Sequence, residues 1–400
     1  MRYKTAPFGE IPSHWQIKSI EEIAEVVTDY VANGSFASLK NNVQYLSEPD
    51  YAVLIRLVDF NKSFSGDFVY INKSSYDFLK KSQLFGGEII ISNVGANVGT
   101  VFKTPNLNMK MALAPNSVML RTKYCDDFYF HWLKSRYGQH MISAIISGSA
   151  QPKFNKTEFR KMLVPVPPIE EQREIANILN SYDKKIQLNK QINHHLAEQI
   201  SLIYNLAITT QKVTTKTIDE VTVKNEDIIA VSKINSNNYV STTNMISDKS
   251  GINNNITLPS TQYVKAFHPK DILISNIRPY FKKIWYSNKS GGHSADVLNF
   301  RANTAIISPE ILWAYLYQDS FFDAVTKSAK GTKMPRGDKN AIMTFKISIP
   351  ANSKELTTTI RPILSLIAEN NRQNYNLENL KSSLLPKLLS GELSVNQATK

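Results

Sequence analysis

Between Ile175 and Ala207, apolar side chains return every three or four residues, at Ile175, Ile178, Tyr182, Ile186, Leu196, Ile200 and Ile203. That rhythm predicts one stripe of a long amphipathic helix. The preceding V-P-V-P-P-I-E-E-Q, from Val164, fits a helix start: Pro167 and Pro168 suit a first turn, and Glu170 and Glu171 sit where the helix dipole favours negative charge. Ile360, Ile363, Ile367, Leu377, Leu384 and Leu388 repeat the rhythm, so a second long helix is expected near the C-terminus. Pro386 lies inside that pattern and should kink or end it. Two stripes of matched length in one chain can bury each other. Each stripe is interrupted near its middle by an amide, Asn189 in the first and Asn374 in the second. Antiparallel pairing would bring these two together, and a polar seam residue fixes register.

Elsewhere the pattern is shorter. Residues 51–60, Y-A-V-L-I-R-L-V-D-F, and 88–94, E-I-I-I-S-N-V, are β-branched runs that read as strands. Residues 128–146 read as a helix ending before a polar loop, G-S-A-Q-P-K, and 163–168 as a short extended piece. Pro12 and Trp15 would anchor an extended N-terminal segment, and 209–217, rich in Thr and Lys, reads as a linker.

The second half echoes the first. I-D-E-V at 218–221 answers I-E-E-I at 20–23, and F-H-P-K-D-I-L-I-S-N-I at 267–277 answers F-G-G-E-I-I-I-S-N-V at 85–94. Asn276 lies 183 positions after Asn93, and the same offset carries G-S-A-Q-P-K onto G-T-K-M-P-R at 331–336 and Pro167 onto Pro350. An ordered series at nearly constant offset implies a tandem duplication. The expected class is α/β (α+β), with a pseudo-twofold internal repeat. The expected segments are a first domain at 1–163, a helix at 164–208, a second domain at 209–349, a second helix at 350–393 and a tail at 394–400.

Four hundred residues exceed what one ordinary core needs, and 42% apolar with 20% charged residues is the composition of a folded soluble protein. No apolar run is long enough to span a bilayer, and the first ten residues lack a signal-peptide core, so a cytoplasmic protein is expected. One cysteine, Cys125, allows neither an internal disulfide nor a zinc site built on cysteine pairs. Lys and Arg number 47 against 34 Asp and Glu, and the resulting +13 favours a polyanionic partner.

Catalytic signatures are missing. There is no G-x-x-x-x-G-K-[ST] phosphate loop and no H-E-x-x-H, and the adjacent His194 and His195 point to different helix faces. Ser275–Tyr280, S-N-I-R-P-Y, departs from the N-P-P-Y/F of amino-methyltransferases at Arg278, and no glycine-rich S-adenosylmethionine loop accompanies it. Pro49-Asp50, Asp59 and Lys62 do not have nuclease spacing and read as strand-edge polar residues.

Taken together, the P-x-x-W segment, the I-S-N strand, G-S-A-Q-P-K, V-P-V-P-P-I-E-E-Q-R-E-I-A and L-L-P-K-L-L-S-G-E-L resemble the specificity subunit of type I restriction-modification systems. The resemblance covers nearly the whole chain and rests on order and duplication. It implies two target-recognition domains, each reading one half of a split site in double-stranded DNA, held apart by the two long helices packed as an antiparallel coiled coil. It further implies two methyltransferase subunits and restriction subunits as partners. S-adenosylmethionine, ATP and magnesium would belong to those partners, leaving this chain non-catalytic and without a cofactor. The second helix start, I-S-I-P-A-N-S-K-E, lacks E-E-Q, so its methyltransferase contacts would differ.

Candidate DNA contacts fall in two pairs of loops. After the I-S-N strands, Asn93, Asn97 and Lys103 offer amides and charge in the first half, and Arg278, Tyr280, Lys282 and Lys283 form a basic, aromatic cluster in the second. Gln151 and Lys153 have as partners Lys330, Lys333 and Arg336 in a run that also holds Lys327 and Lys339. Lys and Arg neutralise phosphates, Gln suits adenine, and Arg336 can donate a bidentate pair to guanine. The plain alternative is a solvated basic loop. A helix of about 35 residues is ~50 Å long at roughly 1.5 Å per residue, enough to separate half-sites by one to two turns of duplex. Two rival readings are a self-sufficient DNA-modifying enzyme with an unrecognised active site, and a scaffold that binds only protein.

Overall fold

A computed structural model describes residues 2–62, 64, 66–148, 150–253 and 256–393. Ser149 of the G-S-A-Q-P-K loop and the expected tail at 394–400 lie outside the described residues. The chain forms two compact units, one of residues 1–183 with 379–400 and one of residues 184–378.

In the first unit, Ser19 and Glu22 form a reciprocal capping box that starts the one-turn helix Ile20–Ile23. That turn feeds Ala24–Asp29 into an antiparallel sheet ordered Ala24–Asp29, Ser117–Thr122, Ile89–Ser92, Val101–Lys103. All four residues of Ile89–Ser92 are buried, which is why the run is β-branched without polar alternation. A second sheet is ordered Val69–Ile71, Ala52–Ile55, Lys110–Leu113, Gln83–Leu84, with its central pair parallel. Gln16–Ser19 pairs with Leu163–Val166. Trp15, Ile20, Ile89, Phe128, Trp132, Phe159 and Leu179 share one core.

The second unit repeats these devices with its own residues. Thr217 and Glu220 cap Ile218–Val221, Val213–Thr217 pairs with Lys346–Pro350, and Ile272–Ser275 is a fully buried central strand flanked by Val297–Ala302 and Ile284–Tyr286. Its core joins Tyr204, Ile218, Ile274, Leu312, Phe321 and Ile360.

Several expectations are corrected. The 51–60 strand ends at Ile55, because Asp59 accepts from the Arg56 backbone N–H at 2.9 Å and from its guanidinium, turning the chain into a helix at Leu57–Asn61. The helix expected at 128–146 is two, Asp126–Lys134 and Arg136–Ala144. Ser135 is extended between them and its hydroxyl caps the second through Gly138 N–H. A Cβ on Gly138 would lie 2.3 Å from the Trp132 carbonyl oxygen, so only glycine permits this crossing. The 209–217 linker is largely the strand Val213–Thr217.

Two long helices, Ile169–Thr210 and Ser353–Leu389, carry the predicted stripes. The second continues through Pro362 and passes Pro386, ending three residues later at Leu389. Leu388 and Leu389 are 0% and 1% exposed in the first core, and this burial offsets the hydrogen bond that Pro386 cannot donate. Gly391, at φ 69°, closes the end, with Leu393 N–H donating to the Lys387 carbonyl at 3.0 Å.

Within the first unit, Asp183 and Lys381 form an ion pair, Ile178, Leu384 and Leu388 share the core, and Tyr182 is half-buried. Within the second, Asn189 Nδ2 donates to Asn374 Oδ1 at 2.9 Å, and Asn193 Nδ2 donates to Asn371 Oδ1 at 2.9 Å. Partner numbers fall as residue numbers rise, so the helices run antiparallel where they touch. Ile186, Asn189 and Asn374 are buried, while Leu196, Ile363, Ile367 and Leu377 are half-buried.

Candidate nucleic-acid interface

The I-S-N strand of each unit ends against the loop that the sequence singles out separately. In the first unit Val94 bridges Lys153, Gly95 N–H donates to the Pro152 carbonyl at 2.8 Å, and Phe154 N–H to the Asn93 carbonyl at 3.1 Å. In the second, Ile277 bridges Arg336, Arg278 N–H donates to the Pro335 carbonyl at 2.7 Å, and Gly337 N–H to the Asn276 carbonyl at 3.2 Å. Backbone bonding therefore fuses two loops, over sixty residues apart in sequence at Asn93 and Phe154, into one platform at one end of a buried strand.

The candidates differ in what they offer. Asn97, Gln151, Lys153 and Lys333 are exposed, and Tyr280 is 48% exposed with its ring 4.8 Å from Phe281. Asn93 donates to the Phe154 carbonyl at 3.3 Å, while its Oδ1 is buried without a partner. Lys103 is drawn inward: it pairs with Asp127, lies 5.2 Å from the Phe130 ring, and burial holds its pKa below the usual lysine value. Lys283 likewise donates to the Thr242 carbonyl at 2.7 Å, with its pKa lowered by burial. Lys282 pairs with Asp319 at 2.8 Å and Lys330 with Asp338 at 2.6 Å, so each arrives partly neutralised.

Arg278 and Lys282 both adopt left-handed backbone, at φ 49°, on either side of the turn Pro279–Phe281. Non-glycine residues hold that conformation at a cost, and here bonds to the 333–335 turn impose it on Arg278. Arg336 donates through Nε to Asp296 at 3.0 Å.

Sequence reasoning missed several neighbours. A cavity of about 620 Å³ beside Asn93 is lined by Tyr30, Phe36, Leu39, Tyr45 and Asn116, with Phe36 83% exposed. Asp296, Asp319 and Lys249 complete the ion pairs of the second unit. No motif marks these residues, because they come from separate segments of the chain. Among the described residues no cluster of three His, Cys, Asp or Glu side chains could hold a metal, and no helix is long and apolar enough to cross a membrane. His194 and His195 both turn to Glu198, at 3.2 and 3.3 Å.

Residues 12–198 match the family model described as the type I restriction modification DNA specificity domain. Over this stretch the chain is similar to the type I specificity family. It is 27% identical over 203 residues to the MjaX specificity subunit of Methanocaldococcus jannaschii, a match covering 48% of this chain and 44% of that protein. It is 21% identical to the MjaIX specificity subunit of the same organism over 99% of this chain and 97% of that one. The crystal structure of the S subunit from M. genitalium shares the fold, with a TM-score of 0.52 at 14% identity over 96% of this chain and 99% of the other.

The motifs that carry this similarity converge in the first unit. Trp15, fully buried, donates its indole N–H to Glu171 at 3.0 Å. Gln172, also fully buried, donates to the Pro167 carbonyl at 2.8 Å and accepts from Cys125 N–H at 3.3 Å. A Cβ on Gly391 would lie 2.1 Å from Pro12. The P-x-x-W, E-E-Q and S-G-E-L motifs thus hold one junction together. The second helix start is built differently, through Asn352 N–H to Gln211 Oε1 at 3.4 Å and Ser308 to Thr357 at 2.8 Å.

Proposed function

We propose that this chain is the specificity subunit, the non-catalytic DNA-recognition component, of a type I restriction-modification complex. Each unit reads one half of a split target in duplex DNA, and the long helices form an antiparallel coiled coil that sets the spacer and docks two methyltransferase subunits. Restriction subunits complete the assembly. S-adenosylmethionine, ATP and magnesium serve those partners, and the complex acts on DNA in the cytoplasm.

The observation that carries this reading is the paired platform: Val94 on Lys153 in one unit, Ile277 on Arg336 in the other, each at the end of a buried I-S-N strand. The capping boxes at Ser19 and Thr217 support the pseudo-twofold repeat. Side chains on the platforms differ while their framework matches, which suits modules of one architecture reading different bases.

The test is duplex binding by the subunit assembled with its methyltransferase partners. Phosphate neutralisation predicts that affinity falls roughly a thousandfold or more between about 50 and 200 mM salt. Binding indifferent to salt would favour a protein-only scaffold. Methyl transfer by the purified chain alone would overturn the non-catalytic assignment.

A further inference from the structure

Arg336 stands out among the basic residues of the platforms because its position and its orientation are both fixed. Its backbone is held on two sides, by reciprocal bonds with Lys330 at 2.9 and 3.0 Å and by the bridge to Ile277. Next to it, a Cβ on Gly337 would lie 2.7 Å from Val325 and 2.9 Å from Asn276, so the loop lies tight against the unit. The side chain remains 50% exposed, and Asp296 holds it through Nε at 3.0 Å and Nη2 at 3.5 Å.

An ion pair this exposed contributes little to folding. It also makes Arg336 a poor phosphate clamp, since a carboxylate beside it cancels the charge that would displace counterions. What the pairing does supply is orientation. Asp296 occupies the Nε side of the guanidinium, which leaves the Nη1–Nη2 end free, and that end matches guanine O6 and N7 in the major groove.

The first unit provides the contrast. The Asn93 N–H donates to the Asn116 carbonyl at 3.0 Å, as the Asn276 N–H does to the Asp296 carbonyl at 2.9 Å. Lys153 bridges Val94 and Ser147, as Arg336 bridges Ile277 and Lys330. At equivalent backbone places the first unit therefore has an amide and an ammonium where the second has a carboxylate and a guanidinium. An unbuttressed ammonium is a point charge suited to phosphate.

We infer that Asp296 is a positioning residue that turns Arg336 into a guanine-reading side chain, so that the half-site read by the second unit contains a guanine specified by a fixed, forked donor that Lys153 does not supply in the other. This rests on the DNA-recognition reading above. The test uses the complex with its methyltransferase subunits and selection from a randomised duplex library. Wild type should prefer guanine about tenfold or more at one position of one half-site. D296A should reduce that preference to about twofold or less, with affinity for random duplex unchanged or higher because a negative charge has left the surface. R336K, which keeps the charge and removes the fork, should weaken the same preference severalfold. K153A should weaken binding to all sequences alike.

Unchanged base preference in D296A or R336K, or a uniform drop in affinity for D296A, would overturn the inference while leaving DNA recognition intact. A wild-type complex that binds no duplex would overturn the recognition reading, and this inference with it.

Discussion

Within the helix Asp126–Lys134, His131 is 1% exposed, with Nε2 2.8 Å from Asn180 Oδ1, whose own amide donates to Asp127 at 2.6 Å. Burial, opposed by the Asn180 bond and reinforced by Lys381, pushes the imidazole pKa down to about 4 from 6.5. The folded pKa lies below the unfolded one, so the unfolded chain binds the proton first. Stability from the neutral ring is complete above about pH 6.5 and is lost as pH falls toward 4. By pH 5 the total loss is about 2 kcal/mol for this one group. H131Q keeps a donor for Asn180 without a titrating ring and should flatten that slope in urea unfolding of the assembled subunit. Equal slopes in variant and wild type would show that His131 does not drive it. The sequence carries no sign of this role: His131 sits in a run of apolar residues, and its pKa is shaped by Asn180 and Lys381, which lie far along the chain.

At the scale of elements, the helices were legible because a stripe at helical spacing has few other ways to be buried. The break at Ser135 was not legible, since the apolar rhythm from Phe128 to Ile146 runs through it and only the crossing at Gly138 requires it. The fused platforms were half legible: the repeat offset marked all four loops, but bonding of Val94 to Lys153 and Ile277 to Arg336 belongs to tertiary structure. Aspartates such as Asp296 and Asp319 left no periodic or motif signal at all. The amides between the helices give an element-scale prediction. Asn189 is fully buried and Asn374 is 6% exposed, with Asn370 donating to Asn193 at 2.8 Å nearby. N189A leaves a buried amide without its partner and should cost about 1–3 kcal/mol. N189L with N374L should recover most of that loss or exceed wild-type stability, at the expense of fixed register. Thermal unfolding of the four members of the double-mutant cycle measures the coupling, and strictly additive effects would show that the amides do not act as a pair.

For the whole molecule, the decisive fact is that each long helix begins in one unit and ends in the other: Ile169–Thr210 crosses the boundary at 183 and Ser353–Leu389 crosses it at 378. Under the proposed function these helices set the spacer, so length added to them should lengthen it. Inserting four residues into each helix, close to one turn so that the buried stripe stays in phase, adds about 6 Å along the axis. With roughly 3.4 Å of duplex per base pair, the spacer between half-sites should grow by about two base pairs, while the bases read in each half stay the same. An insertion of two residues should instead rotate the stripe by about half a turn and destabilise the pairing, which supplies a control. Mapping methylated positions across a genome exposed to each variant complex reads both quantities together. A lengthened spacer with unchanged half-sites identifies the helices as the measuring element. An unchanged spacer in the four-residue variant would assign that role to the recognition units or to the methyltransferase partners.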